Sequence, residues 1–175
     1  MADQVARRSE IPKEARWAVE DLYESDAAWE EDYKRVANLL SQVEKYKGHL
    51  GDSAEMLREY LDFADRLDME LEKVYMYAHL NMDVDTTDVT YQTMRMKAQM
   101  LVARAEEASA FAQPEIMAIP KETLEAYRAQ EAGLKVYDRY FTVLLRQREH
   151  TRSQEVEELL ASASEMADAP SDTFM

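Results

Sequence analysis

The sequence contains no cysteine, and only three glycines and four prolines occur among its 175 residues. Without cysteine, neither a disulfide nor thiolate chemistry is available. So few turn-forming residues disfavour folds built from many short strands, because those folds need frequent tight turns. Good helix formers, among them Glu, Ala, Leu, Lys, Arg and Met, are abundant instead. The composition predicts an all-α protein, and its 46% hydrophobic residues predict a real core.

Positive charge is also scarce, since the sequence has 21 basic and 36 acidic residues and a formal net charge of −15. A surface this negative repels phosphate backbones and anionic membranes, which argues against nucleic-acid binding and against membrane docking. No stretch reaches the length of a membrane span, and the first residues lack the apolar core of a signal peptide. A cytoplasmic protein is the simplest expectation.

Two apolar seams dominate the middle of the chain. Apolar residues recur at steps of three and four through 57–78 and again through 94–112, with a polar loop at 83–88 between them. Such seams predict a long antiparallel helical hairpin. At 1.5 Å per residue, the helix over 53–81 would be about 44 Å long. Alanines on the second seam would let the two backbones approach closely.

The chain is predicted to divide into three segments, and the hairpin lies in the second. Residues 1–24 form an extended N-terminal arm, because the Ile11-Pro12 pair disfavours an early helix. Residues 25–112 form the helical bundle with the long hairpin. Residues 113–175 form shorter helices. The predicted architecture is thus a helical hairpin packed with additional helices behind an extended arm.

Local signals mark the ends of several predicted helices. Ser25 or Asp26 can cap the first helix, which Gly48 would end. A capping box pairs Thr151 with Gln154 before the last helix. A further helix is predicted from its apolar positions, namely Val136, Tyr140, Val143 and Leu144. The last helix is predicted in the same way from Val156, Leu159, Leu160, Ala163 and Met166.

The three histidines, His49, His79 and His150, limit the chemistry of metal sites. A helical zinc peptidase needs two histidines four residues apart with a glutamate after the first, and no pair has that spacing. The inverted motif fails as well, because Arg146 stands where a histidine would precede Glu149. A packing role is favoured over a ligand role for His79, and a structural role at a helix end is favoured for His150. No catalytic, cofactor-binding or metal-ligating residue is therefore assigned in this chain.

Methionine is abundant, with 11 residues in the chain. Its flexible thioether fills irregular cores, and core filling is the favoured interpretation. The alternative is an open binding surface, marked by Met69, Met76, Met82, Met96 and Met100.

Four stretches, in order along the chain, resemble oligoendopeptidase F-like enzymes. The first is 11–23 with Ser25 and Trp29, and the second is 71–80 with Asp83 and 85–87. The third is 114–116 with 119–120, and the fourth is 150–151 with 157–160 and 169–171. Together they span nearly the whole sequence.

The resemblance implies a family of intracellular zinc endopeptidases that act on short peptides. In such enzymes a His-Glu-x-x-His helix and a later glutamate lie far downstream, and none of these residues occurs here. The resemblance therefore implies an N-terminal non-catalytic fragment that forms one wall of a substrate cleft and is inactive alone. Zinc would belong to the full-length enzyme. The implied partners are the missing C-terminal catalytic domain and, for the full enzyme, short peptides.

An apolar patch is expected where the catalytic part would dock, with Trp17, Leu22 and Trp29 as candidates. The alternative for these residues is local packing of the arm onto the bundle. An exposed docking surface would also allow self-association. The alternative function is a free-standing helical interaction module without an enzymatic role. Peptidase activity of the chain by itself is not expected, since water activation needs a metal or a positioned base.

Overall fold

A computed structural model describes residues 11–148, and every regular element in that range is helical. The predicted all-α class is confirmed. The helices, in chain order, are α1 Asp26–Leu39, α2 Ala54–Val84, α3 Val89–Ser109, α4 Ala112–Ala118, α5 Lys121–Gln130 and α6 Asp138–Arg148. Short 3-10 helices occupy Lys13–Ala15, Val19–Asp21, Leu40–Tyr46 and Ala132–Tyr137. His150, the predicted capping box at Thr151 and the predicted last helix lie outside the described residues.

Hydroxyl side chains begin the first two α-helices. The backbone N–H of Ala28 donates to Ser25 Oγ at 3.2 Å, and that of Met56 donates to Ser53 Oγ at 3.1 Å. Both contacts satisfy an N–H group that has no partner within its helix. Gly48 follows the 3-10 helix that extends α1, and its φ of +83° suits a residue without a Cβ. The predicted cap at Ser25 is confirmed.

The predicted helical hairpin is formed by α2 and α3, which make the most extensive helix–helix contact of the described fold. α2 contains 31 residues and is therefore about 46 Å long. Small residues on α3 allow the close approach, since Ala98 and Ala105 are buried beside Met94 and Leu101. The buried α2 side chains are Ala54, Leu57, Tyr60, Leu61, Phe63, Leu67, Leu71, Val74, Tyr77, Ala78 and Asn81.

α1 also packs against α2, and one large aromatic side chain stands at this contact. Trp29 is completely buried, and its Nε1–H donates to the backbone carbonyl of Val74 at 2.8 Å. Its ring also stacks on Tyr33, with 5.3 Å between ring centroids. The hydrogen bond satisfies the only polar atom of the indole, so the buried ring carries no unpaired donor.

The residues of α6 that face the core differ from the predicted ones. Three of the predicted apolar positions are exposed, namely Val136, Tyr140 and Val143. The buried side chains are Tyr137, Phe141 and Leu144. The chain runs as a 3-10 helix through Ala132–Tyr137 before α6 begins at Asp138, and three residues per turn shift the register that an α-helical reading would give. Of the predicted stripe, only Leu144 faces the core.

Candidate functional site

The N-terminal segment is attached to α2 by aromatic contacts. Val19 and Tyr23 are buried. The Tyr23 ring meets Tyr77 edge to face at 5.3 Å between centroids, and Lys73 Nζ lies 4.2 Å from the Tyr23 ring centroid. An ammonium group over an aromatic face is a favourable contact. Val19 and Tyr23 therefore hold this segment in place.

Three buried tyrosines donate hydrogen bonds to aspartates on other elements. Tyr23 donates to Asp32 at 2.6 Å, Tyr77 to Asp26 at 2.8 Å and Tyr137 to Asp62 at 2.9 Å. Burial, followed by the hydrogen bond to a carboxylate, raises the pKa of all three phenols above the ordinary value. The hydroxyls therefore stay protonated near neutral pH. They position helices and have no proton to exchange there.

The two histidines in the described range have local partners. His49 Nδ1 lies 2.8 Å from Asp52 Oδ2. The His79 ring stacks on Tyr75, with 5.3 Å between centroids, and its Nε2 lies 3.5 Å from Asp83 Oδ2. Within residues 11–148, no three histidine or carboxylate side chains are grouped closely enough to hold a metal ion. This part of the chain does not fit zinc.

The preferred assignment of the methionines to the core is confirmed for Met94, which is buried, but it is wrong for three of the five methionines that the alternative named. Met69, Met96 and Met100 are exposed, and Met76 and Met82 are half-buried. On α3, Met94 and Ala98 face α2, so residues two positions away face the opposite side. Met96 and Met100, at 64% and 65% exposure, lie on that outer side.

An apolar groove of about 430 Å³ runs between the N-terminal segment and α2. Trp17 and Leu22 line one side, and Met76 and Leu80 line the other. Trp17 is 55% exposed, so two of the three predicted patch residues do contribute to a surface. The third, Trp29, was wrongly predicted because it is completely buried against α2. Met76 had been named only in the alternative of a methionine-marked binding surface, and Leu80 was missed because it lies beside the α2 seam rather than on it.

A second groove, of about 640 Å³, lies between α2 and α3 and is called the hairpin groove below. Its apolar part is formed by Leu71, Tyr75, Val102, Ala103 and Ala105. Its polar part is formed by Asp68, Glu72, Gln99, Glu106 and Ser109. Partial burial raises the pKa of Asp68 above its ordinary value, and the neighbouring Asp65 adds to the shift. The small residues of α3 leave this groove open.

The described helices include none that is both long and apolar enough to cross a membrane.

Known proteins match this chain over nearly its whole length. The sequence model of the family described as Oligopeptidase F matches residues 115–175. Oligopeptidase PepF of Bacillus subtilis is 37% identical over 173 residues, which cover 99% of this chain and 26% of that protein. The plasmid-borne oligoendopeptidase F of Lactococcus lactis subsp. cremoris is 37% identical over 95% of this chain and 28% of its own length.

Solved structures agree with the sequence comparisons. The crystal structure of oligoendopeptidase-F from Enterococcus faecium superposes with a TM-score of 0.67 at 36% identity, covering 86% of this chain and 30% of that one. A chain from Chlamydophila abortus, 24% identical, shares the fold with a TM-score of 0.79 over 98% of this chain and 29% of that one. The chain spans about a quarter of the length of the curated relatives. It corresponds in sequence and fold to the N-terminal helical region of the oligoendopeptidase F family.

Proposed function

We propose that this chain supplies a non-catalytic helical wall of the substrate cleft in an oligoendopeptidase F-type zinc peptidase of short peptides. The catalytic helix with its zinc ligands would lie in sequence outside these 175 residues. Residues 113–175 would form the start of the linkage to that catalytic part. Full activity would require both parts, because the chain has no motif that could activate water.

The observation that carries the proposal is the extent of the match. Similarity covers 99% of this chain but only 26% of the Bacillus subtilis relative. A wall of packed helices suits a cleft that admits short flexible peptides and excludes folded proteins and bulk water. The apolar groove lined by Trp17, Leu22, Met76 and Leu80 offers a surface for docking the catalytic part.

Reconstitution tests the proposal. The Bacillus subtilis relative would be expressed without the quarter that matches this chain, and the two pieces would be mixed with zinc and a quenched fluorescent peptide. We expect that neither piece cleaves alone and that a one-to-one complex cleaves the peptide. A chelator should abolish the cleavage. A folded catalytic piece that neither binds this chain nor gains activity from it would contradict the proposal.

Two variants identify the docking surface. Met76→Asp places a charge in the apolar groove and should weaken the complex, because an unpaired carboxylate in an apolar interface is costly to desolvate. Met96→Asp, at an exposed methionine on the outer side of α3, is the matched control and should leave the complex unchanged. A free-standing interaction module, the alternative function, would bind other proteins but would never restore cleavage.

A further inference from the structure

We infer that the hairpin groove is a peptide-binding subsite that selects an apolar side chain flanked by lysine or arginine. Its role as part of the substrate cleft rests on the function proposed above, whereas the binding itself can be measured on this chain alone. The preference for an apolar side chain and the preference for lysine or arginine both follow from the residues that line the groove.

The floor of the groove accounts for the preference for an apolar side chain. Leu71 and Ala105 are buried beneath it, and Val102 and Tyr75 are half-buried along its sides. Their apolar atoms remain partly in contact with water at the groove. Covering them with a leucine or phenylalanine side chain would remove that contact, which is favourable in proportion to the area covered. At about 640 Å³, the groove has room for more than one side chain of a peptide.

The rim of the groove accounts for the preference for lysine or arginine. Asp68 and Glu72 project from α2, and Glu106 projects from α3. Among the described residues, no lysine, arginine or histidine forms an ion pair with any of the three. Partial burial and Asp65 raise the pKa of Asp68, so a cation brought to this rim would relieve an unfavourable charge. Glu70, which stands on α2 as Asp68 and Glu72 do, is by contrast already paired with Arg35.

Charge also argues against two other possible occupants of the hairpin groove. A second copy of the chain carries a net charge of −15 and would be repelled from an acidic rim. The segment 149–175 of the same chain holds seven acidic residues and one arginine, so it is a poor match as well. A basic peptide from outside the chain is the occupant that the lining fits.

Titration calorimetry on the 175-residue chain tests the inference with three short peptides of equal length. The first alternates lysine and leucine, the second replaces lysine by glutamate, and the third replaces leucine by serine. We expect one-to-one binding of the lysine–leucine peptide that weakens at high salt, and roughly tenfold weaker binding of each of the others. Equal affinity for the lysine and glutamate peptides would overturn the inference.

Matched variants separate the groove from the general negative field. Neutralising the rim with Asp68→Asn, Glu72→Gln and Glu106→Gln together should weaken binding roughly tenfold. The control neutralises three exposed carboxylates elsewhere, with Glu14→Gln, Glu31→Gln and Glu59→Gln, and changes the net charge equally. The control should bind as the unaltered chain does. Equal losses in both triple variants would show that only the overall charge attracts the peptide.

A third variant fills the groove without changing the charge. Ala103 is exposed and lines the groove, so Ala103→Trp should leave the helical circular dichroism unchanged and abolish binding of the lysine–leucine peptide. Unchanged binding would place the peptide elsewhere and overturn the inference. Peptide binding together with failed reconstitution would leave the groove assignment intact and remove the cleft-wall function. Reconstitution of cleavage without peptide binding would support the cleft-wall function and overturn the groove assignment.

Discussion

The contacts that α2 makes with α1 and with α3 are built differently. Towards α1, α2 meets a fully buried tryptophan, a tryptophan-to-backbone hydrogen bond and the Tyr77–Asp26 bond. Towards α3 it meets alanines, and next to that seam lies an open groove with three acidic side chains. At the contact with α1, the indole N–H and the Tyr77 hydroxyl are paired and the Trp29 ring is covered. The contact with α3 leaves polar and apolar atoms partly available, which is the pattern expected of a binding surface.

The comparison shows how one helix can serve both stability and recognition. Large aromatic side chains with satisfied hydrogen bonds hold the α1 side in one arrangement. Small residues on α3 bring the backbones close along the seam and leave room beside it, because an alanine fills little of the space that faces solvent. Substitutions should therefore be costly on the α1 side and in the seam, and nearly silent at the groove.

The largest effect is expected from Trp29→Ala. The substitution removes a completely buried ring and its bond to Val74, so it should lower the free energy of unfolding by about 3–5 kcal/mol. Urea denaturation measures the change. Trp17→Ala, at a tryptophan that is 55% exposed, is the control and should cost less than about 1 kcal/mol. Similar costs at both positions would contradict the comparison.

A smaller effect is expected from Ala98→Leu in the seam between α2 and α3. Ala98 is only 1% exposed, and the added atoms would push the two backbones apart at a cost of about 1–3 kcal/mol. Thermal unfolding followed by circular dichroism measures it. The same substitution at the exposed Ala103 should change stability by no more than about 0.5 kcal/mol. A neutral Ala98→Leu would mean that the seam is not closely packed.

Tyr77→Phe tests the hydrogen bonds of the α1 side. Loss of the hydroxyl that donates to Asp26 at 2.8 Å should cost about 1 kcal/mol in urea denaturation. Tyr75→Phe, on the groove side, should be silent, since the described residues offer its hydroxyl no hydrogen bond. If both tyrosines tolerate phenylalanine equally, the paired bonds add nothing to the α1 side.

The smallest effect is expected from Asp68→Asn at the groove, and its sign is opposite. Because the folded-state pKa of Asp68 is raised, the ionised form disfavours folding, so the variant should be more stable at neutral pH. Solvent screening keeps the gain below about 0.5 kcal/mol. The gain should vanish as the pH falls below about 4, where the carboxyl is protonated in both states. Denaturation curves measured across this pH range, with Glu31→Gln as the exposed control, test the sign. A loss of stability at neutral pH would contradict it.

Much of the local structure follows from the sequence. Steps of three and four predict the seam residues Leu57 and Leu101, and Ser25 predicts the start of α1. The hairpin groove was not predicted, although acids at Asp68 and Glu72 beside Leu71 gave a partial signal. Its carboxylates stand on two helices separated by a turn, so only packing brings Glu106 to the same rim.

By itself the sequence determined the all-α class, the hairpin, the start of α1 and the absence of a His-Glu-x-x-His motif, because these depend on residues close together along the chain. The tertiary structure decided which apolar residues are covered. Periodicity shows which side chains share a face, but Met96 and Trp29 differ in exposure because only Trp29 has a helix packed against it. The open groove likewise exists only because α3 packs on α2 through alanines.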